Sequence, residues 1–406
     1  MQPESTYLKW MFASAAALLL SVAAVCWIVD PFSIFDAPCF DGFNRNKPGY
    51  VDHLRLTHVY RVERLQPTCI VLGTSRTGRG LRPDHPTLAR DGCYNHALPG
   101  MTMYEMRRYM QHAHAVRPLK RMVLALDFRI MNAASDNSGA FVEQRLAVDA
   151  NGHPQFNLFS ARLPDLAASL VSLHALQASA TTIRQQAWVR DTLRPDGYWA
   201  PLTQNYDHAT GFVAYTENTS RRFVEALKNE AIFERNFDEF RLLLRDAYAA
   251  GIDVQMLISP SHAWHWQTLW VSGLWMRFER MKRLFMQIND EEARRAGRPA
   301  FRLWDFSGSY DVAQEPPAHS GARMTWFWEP VHYKSALGDI ILSRIAGPVD
   351  ARSPQQDFGV PLDAATLEVH LEHLRELQRN FAAGHPDEAA QIRRTFERIS
   401  GRTAAN

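Results

Sequence analysis

The stretch Cys69-Ile-Val-Leu-Gly-Thr-Ser-Arg76 decides the fold of this chain. An apolar run ends at Leu72, Gly73 follows it, and Ser75 comes two residues later. Short apolar runs of this kind are typical of buried strands. A buried strand that ends in glycine exposes the next side chains at the carboxyl edge of an open α/β sheet, so Ser75 is a candidate nucleophile. Taken alone, the same pattern also fits a turn whose serine only caps a helix.

The segments around this strand alternate between strand and helix patterns. Residues 92–95 and 121–127 are predicted strands, and residues 102–116 are a predicted helix with Thr102 and Glu105 at capping-box spacing. Strand, helix and strand at this spacing form a βαβ unit, so we expect an α/β fold with a mainly parallel sheet. Further predicted elements are helices at 235–250, 264–296 (interrupted near 272–273) and 334–345, and strands at 253–258 and 301–306.

The N-terminus predicts a membrane anchor. Residues 10–29 are apolar or small without interruption, and about 20 such residues suffice to cross a bilayer as a helix. A cleavable signal peptide would have a shorter apolar region and a better cleavage site, and a buried core helix would have a polar face. Because Lys9 and the amino terminus oppose Asp30 and Asp36, residues 1–9 are predicted to be cytoplasmic and the rest extracytoplasmic.

Composition shifts predict the domain organisation. Residues 30–65 are predicted to be a connector that ends in a short helix, and residues 66–346 form the α/β domain. Within that domain, the pattern loosens at about 132–233, which suggests an insertion near the carboxyl edge that shapes substrate access. Residues 347–406 are predicted to form a C-terminal helical hairpin, which packs on the main domain or, alternatively, binds a partner.

Charge and cysteine content exclude several classes. The formal net charge of +2, with both signs evenly mixed, argues against a nucleic-acid partner. None of the four cysteines has Cys-x-x-Cys spacing, so no zinc site, redox pair or other cofactor is indicated. Cys69 and Cys93, in neighbouring predicted strands, are expected to behave as small buried apolar residues. A disulfide between them would be possible only in an oxidising compartment, and we do not expect it.

Two later residues complete a candidate catalytic set with Ser75. A serine hydroxyl needs a base to remove its proton, and a histidine base needs a third group to fix its tautomer. In Trp328-Glu-Pro-Val-His332, Glu329 stands three residues before His332, a spacing that can place the carboxylate beside Nδ1 and leave Nε2 for the serine. Each residue also has a simpler explanation: Ser75 could cap a helix, Glu329 could be a solvated loop carboxylate, and His332 could be a structural histidine.

Other residues are candidates for supporting roles. The backbone amides of Ser75 and Gly100 are candidate donors to an oxyanion. Arg76 could steer an anionic substrate or form a surface ion pair. His262 follows another predicted strand and is a candidate for substrate contact or a rival base. Asp127, at the end of a third strand, is expected to tie down a loop.

Three of these motifs resemble the SGNH (GDSL-like) hydrolase superfamily. Gly73-Thr-Ser75 resembles its first sequence block, with Thr where Asp is common, and Asn95-x-x-x-x-Gly100 resembles the second block, whose glycine amide serves the oxyanion hole. Glu329-x-x-His332 resembles the last block, with Glu in place of Asp. The resemblance covers roughly residues 66–346 and implies a three-layer, flavodoxin-like sandwich.

The third block of the family is not matched. Where Gly-x-Asn-Asp is common, this chain has Leu126-Asp-Phe-Arg-Ile-Met-Asn132, so the asparagine that donates to the oxyanion is missing in register. Asn132 and Asn95 are the candidate replacements. The resemblance further implies a bacterial protein of the inner (cytoplasmic) membrane, whose domain faces the periplasm or the cell exterior. Membrane-tethered relatives act in acyl transfer on surface polysaccharides, often beside a membrane-bound acyl-donor protein.

Two functions are consistent with these motifs. One is a serine esterase or O-acyltransferase that acts on acyl groups of an envelope glycan through Ser75, His332 and Glu329. The other is a catalytically inactive glycan-binding or scaffold protein with the same fold, which the missing asparagine favours. A lipase with a Gly-x-Ser-x-Gly elbow is a weaker third option, because Thr77 stands where the second glycine would be.

Overall fold

The structure is a computed structural model that describes residues 3–133, 139–188, 191–201, 206–317, 323–347 and 357–401. The chain packs into two compact units. The anchor unit comprises Met1–Gln66, Ala140–Pro195 and Trp199–Thr203. The sheet unit comprises Pro67–Gly139, Asp196–Tyr198 and Gln204–Asn406.

Helices make up most of the described chain. The α-helices are α1 (Pro3–Val29), α2 (Tyr50–Leu65), α3 (Ser75–Gly80), α4 (Pro86–Ala89), α5 (Met103–Val116), α6 (Phe128–Met131), α7 (Leu163–Leu170), α8 (Leu173–Arg184), α9 (His208–Leu227), α10 (Glu230–Ala249), α11 (Ala263–Val271), α12 (Trp275–Ala296), α13 (Ser335–Ala346), α14 (Leu367–Gly384) and α15 (Pro386–Ser400). Single turns of 3₁₀ or π type lie at Glu143–Arg145, Leu158–Arg162, Gln186–Trp188 and Asp311–Gln314.

The strands form one large and one small sheet. In chain order they are β1 (Cys69–Leu72), β2 (Cys93–Asn95), β3 (Arg121–Leu126), β4 (Asp191–Leu193), β5 (Trp199–Pro201), β6 (Asp253–Ile258), β7 (Leu303–Asp305) and β8 (Val360–Pro361). The large sheet has six strands in the order β2-β1-β3-β6-β7-β8. Its neighbours pair in parallel, except that β8 runs antiparallel to β7. β4 and β5 pair antiparallel as a separate hairpin in the anchor unit.

The α/β class and the mainly parallel sheet are confirmed. All of β1 is buried, and β3 is buried from its second residue onward, as continuous apolar strands are when both faces of a sheet are covered. If only the five parallel strands β1, β2, β3, β6 and β7 are numbered from 1 to 5 along the chain, their order in the sheet is 2-1-3-4-5. In this doubly wound order the topological switch point lies between β1 and β3, where ligand sites commonly form.

The expectation that Cys69 and Cys93 stay reduced is wrong. The two residues are direct partners in the parallel pairing of β1 with β2, with Cα atoms 4.3 Å apart, and a disulfide joins them. Paired residues on adjacent strands point to the same face of a sheet, so the register brings the two thiols together. Cys26 and Cys39 are free.

The predicted helices of the sheet unit are present, with shifted ends. The capping box of α5 is complete, because Glu105 N donates to Thr102 Oγ1 at 3.2 Å and Thr102 N donates to the Glu105 carboxylate at 3.1 Å. The break predicted near residues 272–273 separates α11 from α12, and Gly273 has the positive φ of +81° that glycine tolerates. The two C-terminal helices are present as α14 and α15, while residues 348–356 of the predicted linker lie outside the described ranges.

Helix α9 is the main element that the sequence did not predict. Its 20 residues include three threonines, a serine, an asparagine and a glycine, which are weak helix formers. The helix packs against α11 and α15, so tertiary contact stabilises what local propensity does not. It lies in the sheet unit, whereas residues 140–195 of the predicted insertion lie in the anchor unit.

The anchor unit contains the long apolar helix. Within α1, Thr6–Val29 is long and apolar enough to cross a membrane. The predicted connector contains α2, which begins at Tyr50 and is therefore longer than the short helix expected there. Arg61 of α2 donates to the carbonyl oxygens of Ser33 and Arg194, so this unit is held together by contacts between distant parts of the chain.

Candidate active site

Ser75 stands at the turn from β1 into α3. Thr74 has extended backbone angles and Ser75 is the first residue of the helix. At Gly73, a Cβ atom would lie 2.2 Å from Thr77 Oγ1, so a larger residue there would collide with the Thr77 side chain of α3. The side chain of Ser75 remains partly exposed, which leaves its hydroxyl accessible to a substrate.

Glu329 and His332 lie at the tip of a tight hairpin, residues 326–334, which we call the histidine hairpin. Trp328 N donates to the His332 carbonyl at 2.9 Å, and Lys334 N donates to the Trp326 carbonyl at 2.7 Å. These cross-strand bonds at the base of the hairpin fix the four residues at its tip. The local turn therefore places the carboxylate beside the imidazole.

The structure brings the three predicted catalytic side chains into one hydrogen-bonded chain. His332 Nε2 lies 2.7 Å from Ser75 Oγ, and His332 Nδ1 contacts Glu329 Oε1. Glu329 also accepts from the backbone amides of Val331, at 2.8 Å, and His332, at 3.2 Å. These bonds leave Nδ1–H directed at the carboxylate and Nε2 free to accept the serine proton. Glu329 and His332 are both buried.

Arg76 is a buried residue, so the prediction of a surface ion pair needs correction. Its side chain is 4% exposed, and Nη1 lies 2.8 Å from Asp127 Oδ2. Burial alone would raise the pKa of Asp127, but Arg76 and the Thr74 hydroxyl, at 2.7 Å, hold it below its ordinary value. Since the Arg76 charge is neutralised internally, it contributes little net charge toward a substrate. Its Nε instead donates to the Val331 carbonyl at 3.1 Å and ties Ser75 to the histidine hairpin.

His262 is not positioned to act as a rival base, because its ring nitrogens face the backbone. Its Nε2 donates to the Glu315 carbonyl at 2.7 Å, and its Nδ1 accepts from Trp264 N at 3.2 Å. Both ring nitrogens are therefore occupied by backbone, and burial lowers its pKa to about 4. His262 N donates to the Pro330 carbonyl at 3.0 Å, so this residue supports the tip of the histidine hairpin.

The prediction that Asn95 contributes to the oxyanion hole is also wrong, because its side-chain amide has no proton left to donate to an oxyanion. Its Nδ2 donates to the carbonyls of Thr77 and Leu81, at 3.1 and 2.7 Å, which uses both amide protons. Asn95 instead holds the end of α3. Asn132 donates to the Phe128 carbonyl at 2.7 Å. The oxyanion role of the Ser75 and Gly100 amides stays a prediction.

A cavity of about 310 Å³ lies beside the segments that carry the catalytic residues, although Ser75, Glu329 and His332 are not part of its lining. Arg76 and Val331, which line it, are the immediate sequence neighbours of Ser75 and His332. The rest of its lining comes mainly from the segment after β3 and from α9: Phe128, Arg129, Asn132, Ala133, Thr219, Arg221, Arg222, Phe223, Glu225, Ala226 and His265. Apolar walls with arginines among them suit an acyl group that carries, or lies beside, a negative charge.

Helix α9 supplies site residues that the sequence did not reveal. The ring of Tyr215 meets the His332 ring edge to face, with centroids 5.5 Å apart. His208 Nδ1 donates to the Trp328 carbonyl at 2.8 Å and so supports the histidine hairpin. Arg222 lines the cavity, and no carboxylate among the described residues forms an ion pair with it. Nothing in the local pattern distinguished these residues, since their roles depend on long-range packing.

Arg129 is a second residue that the sequence did not single out. A Cβ atom on Gly100 would lie 2.5 Å from Arg129 Nη1, so the guanidinium lies against the Gly100 backbone. Arg129 also lines the cavity. It occupies the third block, where the SGNH asparagine is missing. Within the described ranges, no three His, Cys, Asp or Glu side chains cluster as metal ligands would.

Comparison with known proteins does not assign the chain to a family. No family model and no curated protein sequence matches it. The resemblance to SGNH hydrolases therefore rests on the three short motifs and remains a prediction.

Proposed function

We propose that the chain is a membrane-anchored, extracytoplasmic serine esterase or O-acyltransferase of SGNH type. The observation that supports this most directly is the hydrogen-bonded chain from Ser75 through His332 to Glu329. A serine activated by a histidine whose other nitrogen faces a carboxylate is the arrangement that acyl transfer requires. The proposed fold is the three-layer, flavodoxin-like sandwich of that superfamily, on the strength of the strand order and the motifs.

The reaction proceeds in two acyl-transfer steps. His332 Nε2 takes the proton of Ser75 as the oxygen attacks the acyl carbonyl, and the resulting imidazolium then protonates the departing alcohol. This leaves an acyl-serine ester and neutral His332. An acceptor hydroxyl then gives its proton to His332 and attacks the ester, and His332 returns this proton to the Ser75 oxygen as the ester bond breaks. The acceptor is water in an esterase and a glycan hydroxyl in a transferase.

The oxyanion is held by donors other than the missing asparagine. The Ser75 and Gly100 amides are two of them, and Arg129 takes the asparagine's part, because its guanidinium lies against Gly100 in the cavity lining. A preorganised cationic donor stabilises a developing negative charge more strongly than an amide does. Arg129→Lys should therefore retain more activity than Arg129→Ala.

The envelope glycan is proposed to carry negative charge. Arg222 has no ion-pair partner among the described residues and lines the cavity, so its charge remains available to a carboxylate or phosphate. Arg222→Gln should raise KM for anionic acyl esters several-fold. A neutral ester such as 4-nitrophenyl acetate serves as control, because its KM should not change.

One experiment tests the proposed function. The full-length protein in detergent is given an acetyl ester, with and without an anionic oligosaccharide, and both free acetate and acetylated sugar are measured. An esterase releases acetate, a transferase acetylates the sugar, and Ser75→Ala should abolish either product. If neither product forms with folded wild-type protein, the proposal of an acyl-transfer enzyme is overturned.

The second candidate is an inactive glycan-binding or scaffold protein of an envelope complex. The observation that favours it is the occupied amide of Asn95, which removes one of the two candidate side-chain amides from the oxyanion hole. In this case the cavity would bind glycan without turnover. Retained oligosaccharide binding by Ser75→Ala and wild type alike, with no product from either, would support this alternative.

A further inference from the structure

An exposed apolar surface lies in the anchor unit, on the segment that precedes α7, on α7 itself and at the start of α8. Phe159 is 80% exposed, Phe156 is 72% exposed and Leu173 is 70% exposed. Single exposed apolar residues are ordinary, but a group of this size on adjacent turns is not. We call it the apolar ridge, and its members are Phe156, Leu158, Phe159, Leu163, Leu166, Val171 and Leu173.

The charges of this segment are turned inward. Between residues 156 and 183, the only Lys, Arg, Asp or Glu side chains are Arg162 and Asp165, and both are buried. Arg162 pairs with Glu63, and Asp165 binds the guanidinium of Arg145 through two bonds of 2.8 and 2.9 Å. The exposed surface of the ridge therefore carries no Lys, Arg, Asp or Glu side chain.

Two hydroxyl groups beside the ridge donate to backbone carbonyls four residues earlier. Ser172 Oγ donates to the Ala168 carbonyl at 2.5 Å, and Ser179 Oγ donates to the Ala175 carbonyl at 2.8 Å. Water is not needed to complete these bonds. Internal satisfaction of this kind is what a helix needs where no solvent is present.

The ridge is continuous with the long apolar helix. α7 and α8 both pack against α1, and α8 does so through Ala175 in a cluster with Cys26 and Val22. Val22 precedes the end of the apolar span at Val29 by seven residues, or about 10 Å along a helix axis. If α1 spans the bilayer, the contact between α8 and Val22 therefore lies inside the hydrocarbon. Its depth is similar to the roughly 5–10 Å to which interfacial helices are buried.

We propose that the apolar ridge is embedded in the lipid bilayer beside α1, as a second membrane element that does not cross. The inference rests on the proposed membrane anchoring of α1. α7 has 8 residues and α8 has 12, and a bend of 50° separates the helices that contain them. Neither helix alone is long enough to span about 30 Å; the two segments together are, but the bend between them favours a re-entrant element that stays in one leaflet. Two attachments would hold the anchor unit at the membrane surface more firmly than a single flexible tether.

Lipid photolabelling of the full-length protein tests this proposal. The protein is reconstituted in phosphatidylcholine–phosphatidylglycerol vesicles that contain a diazirine-bearing phosphatidylcholine, and labelled peptides are identified by mass spectrometry. Labels on both α1 and residues 156–173 are expected. Labels on α1 alone would overturn the embedded ridge and leave the anchor intact, whereas labels on neither would overturn both.

Cysteine protection provides an independent readout with matched controls. In a background without the two free cysteines (Cys26→Ala, Cys39→Ser), Phe159→Cys and Leu173→Cys are compared with Val213→Cys and Val369→Cys, whose native side chains are 47% and 74% exposed in the sheet unit. A membrane-impermeant maleimide should label the ridge cysteines several-fold less in vesicles than after denaturation, and the controls equally in both. Labelling of ridge and control cysteines alike would contradict the proposal. Protection in native membranes but not in pure lipid would overturn lipid as the occupant in favour of a protein.

Discussion

Ser75 and His332 meet although 257 residues separate them in the chain. The pairing of Glu329 with His332 could be predicted, because a spacing of three residues within a tight turn leaves little freedom in how the two side chains meet. Ser75 could be predicted because a glycine after an apolar strand restricts the turn that follows. Both predictions depend on residues that are close together in the chain, and such short-range patterns can be read from a single sequence.

The roles of Arg76, His262 and Asn95 could not be predicted in the same way. Each was assigned to substrate or oxyanion, and each proves to hold backbone carbonyls that surround the site. Their partners lie far away in sequence for Arg76 and His262, and 14 and 18 residues earlier, before α4, for Asn95. A polar residue near a strand end can therefore hold the backbone around a site without contacting a ligand, and only the fold distinguishes the two roles.

Protonation of His262 should make the protein sensitive to mild acid. Burial lowers the pKa of His262 from 6.5 to about 4 in the folded protein. Between these values the unfolded chain binds a proton that the folded chain does not, so the free energy of unfolding falls as the pH drops through this range. The contribution of this residue is roughly 3 kcal/mol.

Thermal unfolding of the full chain in detergent, measured from pH 7 to pH 4, checks this expectation. His262→Gln keeps a donor and an acceptor but does not titrate, so Tm should fall less steeply with acid than in wild type. Some slope should remain, because burial also lowers the pKa of His265. Equal slopes in the two proteins would contradict the assignment of this effect to His262.

At the scale of elements, α9 shows where sequence patterns fail. Its helix-weak composition predicted a loop-rich insertion, yet it packs on α11 and α15 and supplies Tyr215 and His208 to the site. Buried strands such as β1 and β3 are easier to predict, because a short run of apolar residues is stable only in the interior of the protein. A helix that depends on its neighbours cannot be recognised before those neighbours are known.

The packing of α13 on α3 depends on two glycines. A Cβ atom on Gly338 would lie 1.8 Å from the Gly80 carbonyl oxygen, which is backbone and cannot rotate away. Gly338→Ala should therefore force the helices apart and cost about 1–3 kcal/mol. The measurement is Tm by thermal unfolding, with a decrease of several degrees expected.

Gly384, in the last turn of α14, is the matched control for Gly338. It is also helical, but a Cβ atom added there would have no other atom within 4 Å. Gly384→Ala should leave Tm unchanged or raise it slightly, since alanine restricts the unfolded chain. Equal Tm values for Gly338→Ala and wild type would show that α13 and α3 do not approach as closely as the structure has them.

For the whole molecule, the division into two units departs from chain order. The anchor unit gathers three separate segments, and residues that interrupt the sheet domain in sequence join α1 and α2. Composition indicated that residues 132–233 differ from their surroundings, but not where they pack. Such an arrangement depends on contacts such as that of Arg61 with the Arg194 carbonyl, which no linear pattern encodes.

The proposed topology makes a prediction at this same scale. With Lys9 on the N-terminal side of the span and Asp30 and Asp36 beyond it, the C-terminus should lie outside the cytoplasm. In a bacterial host, alkaline phosphatase fused after residue 406 should be active, and a fluorescent protein fused before residue 1 should fluoresce. An inactive phosphatase on a stably expressed, membrane-bound fusion would contradict the extracytoplasmic assignment.

The most direct test of the central claim is labelling of the full-length protein with a fluorophosphonate probe, which reacts only with an activated serine. Wild type should be labelled at Ser75, and both Ser75→Ala and His332→Ala should lose the label. Ser261→Ala, a change at a buried serine after another strand, should keep it. Absence of labelling in folded wild-type protein would contradict the Ser75–His332–Glu329 triad and favour the binding or scaffold function.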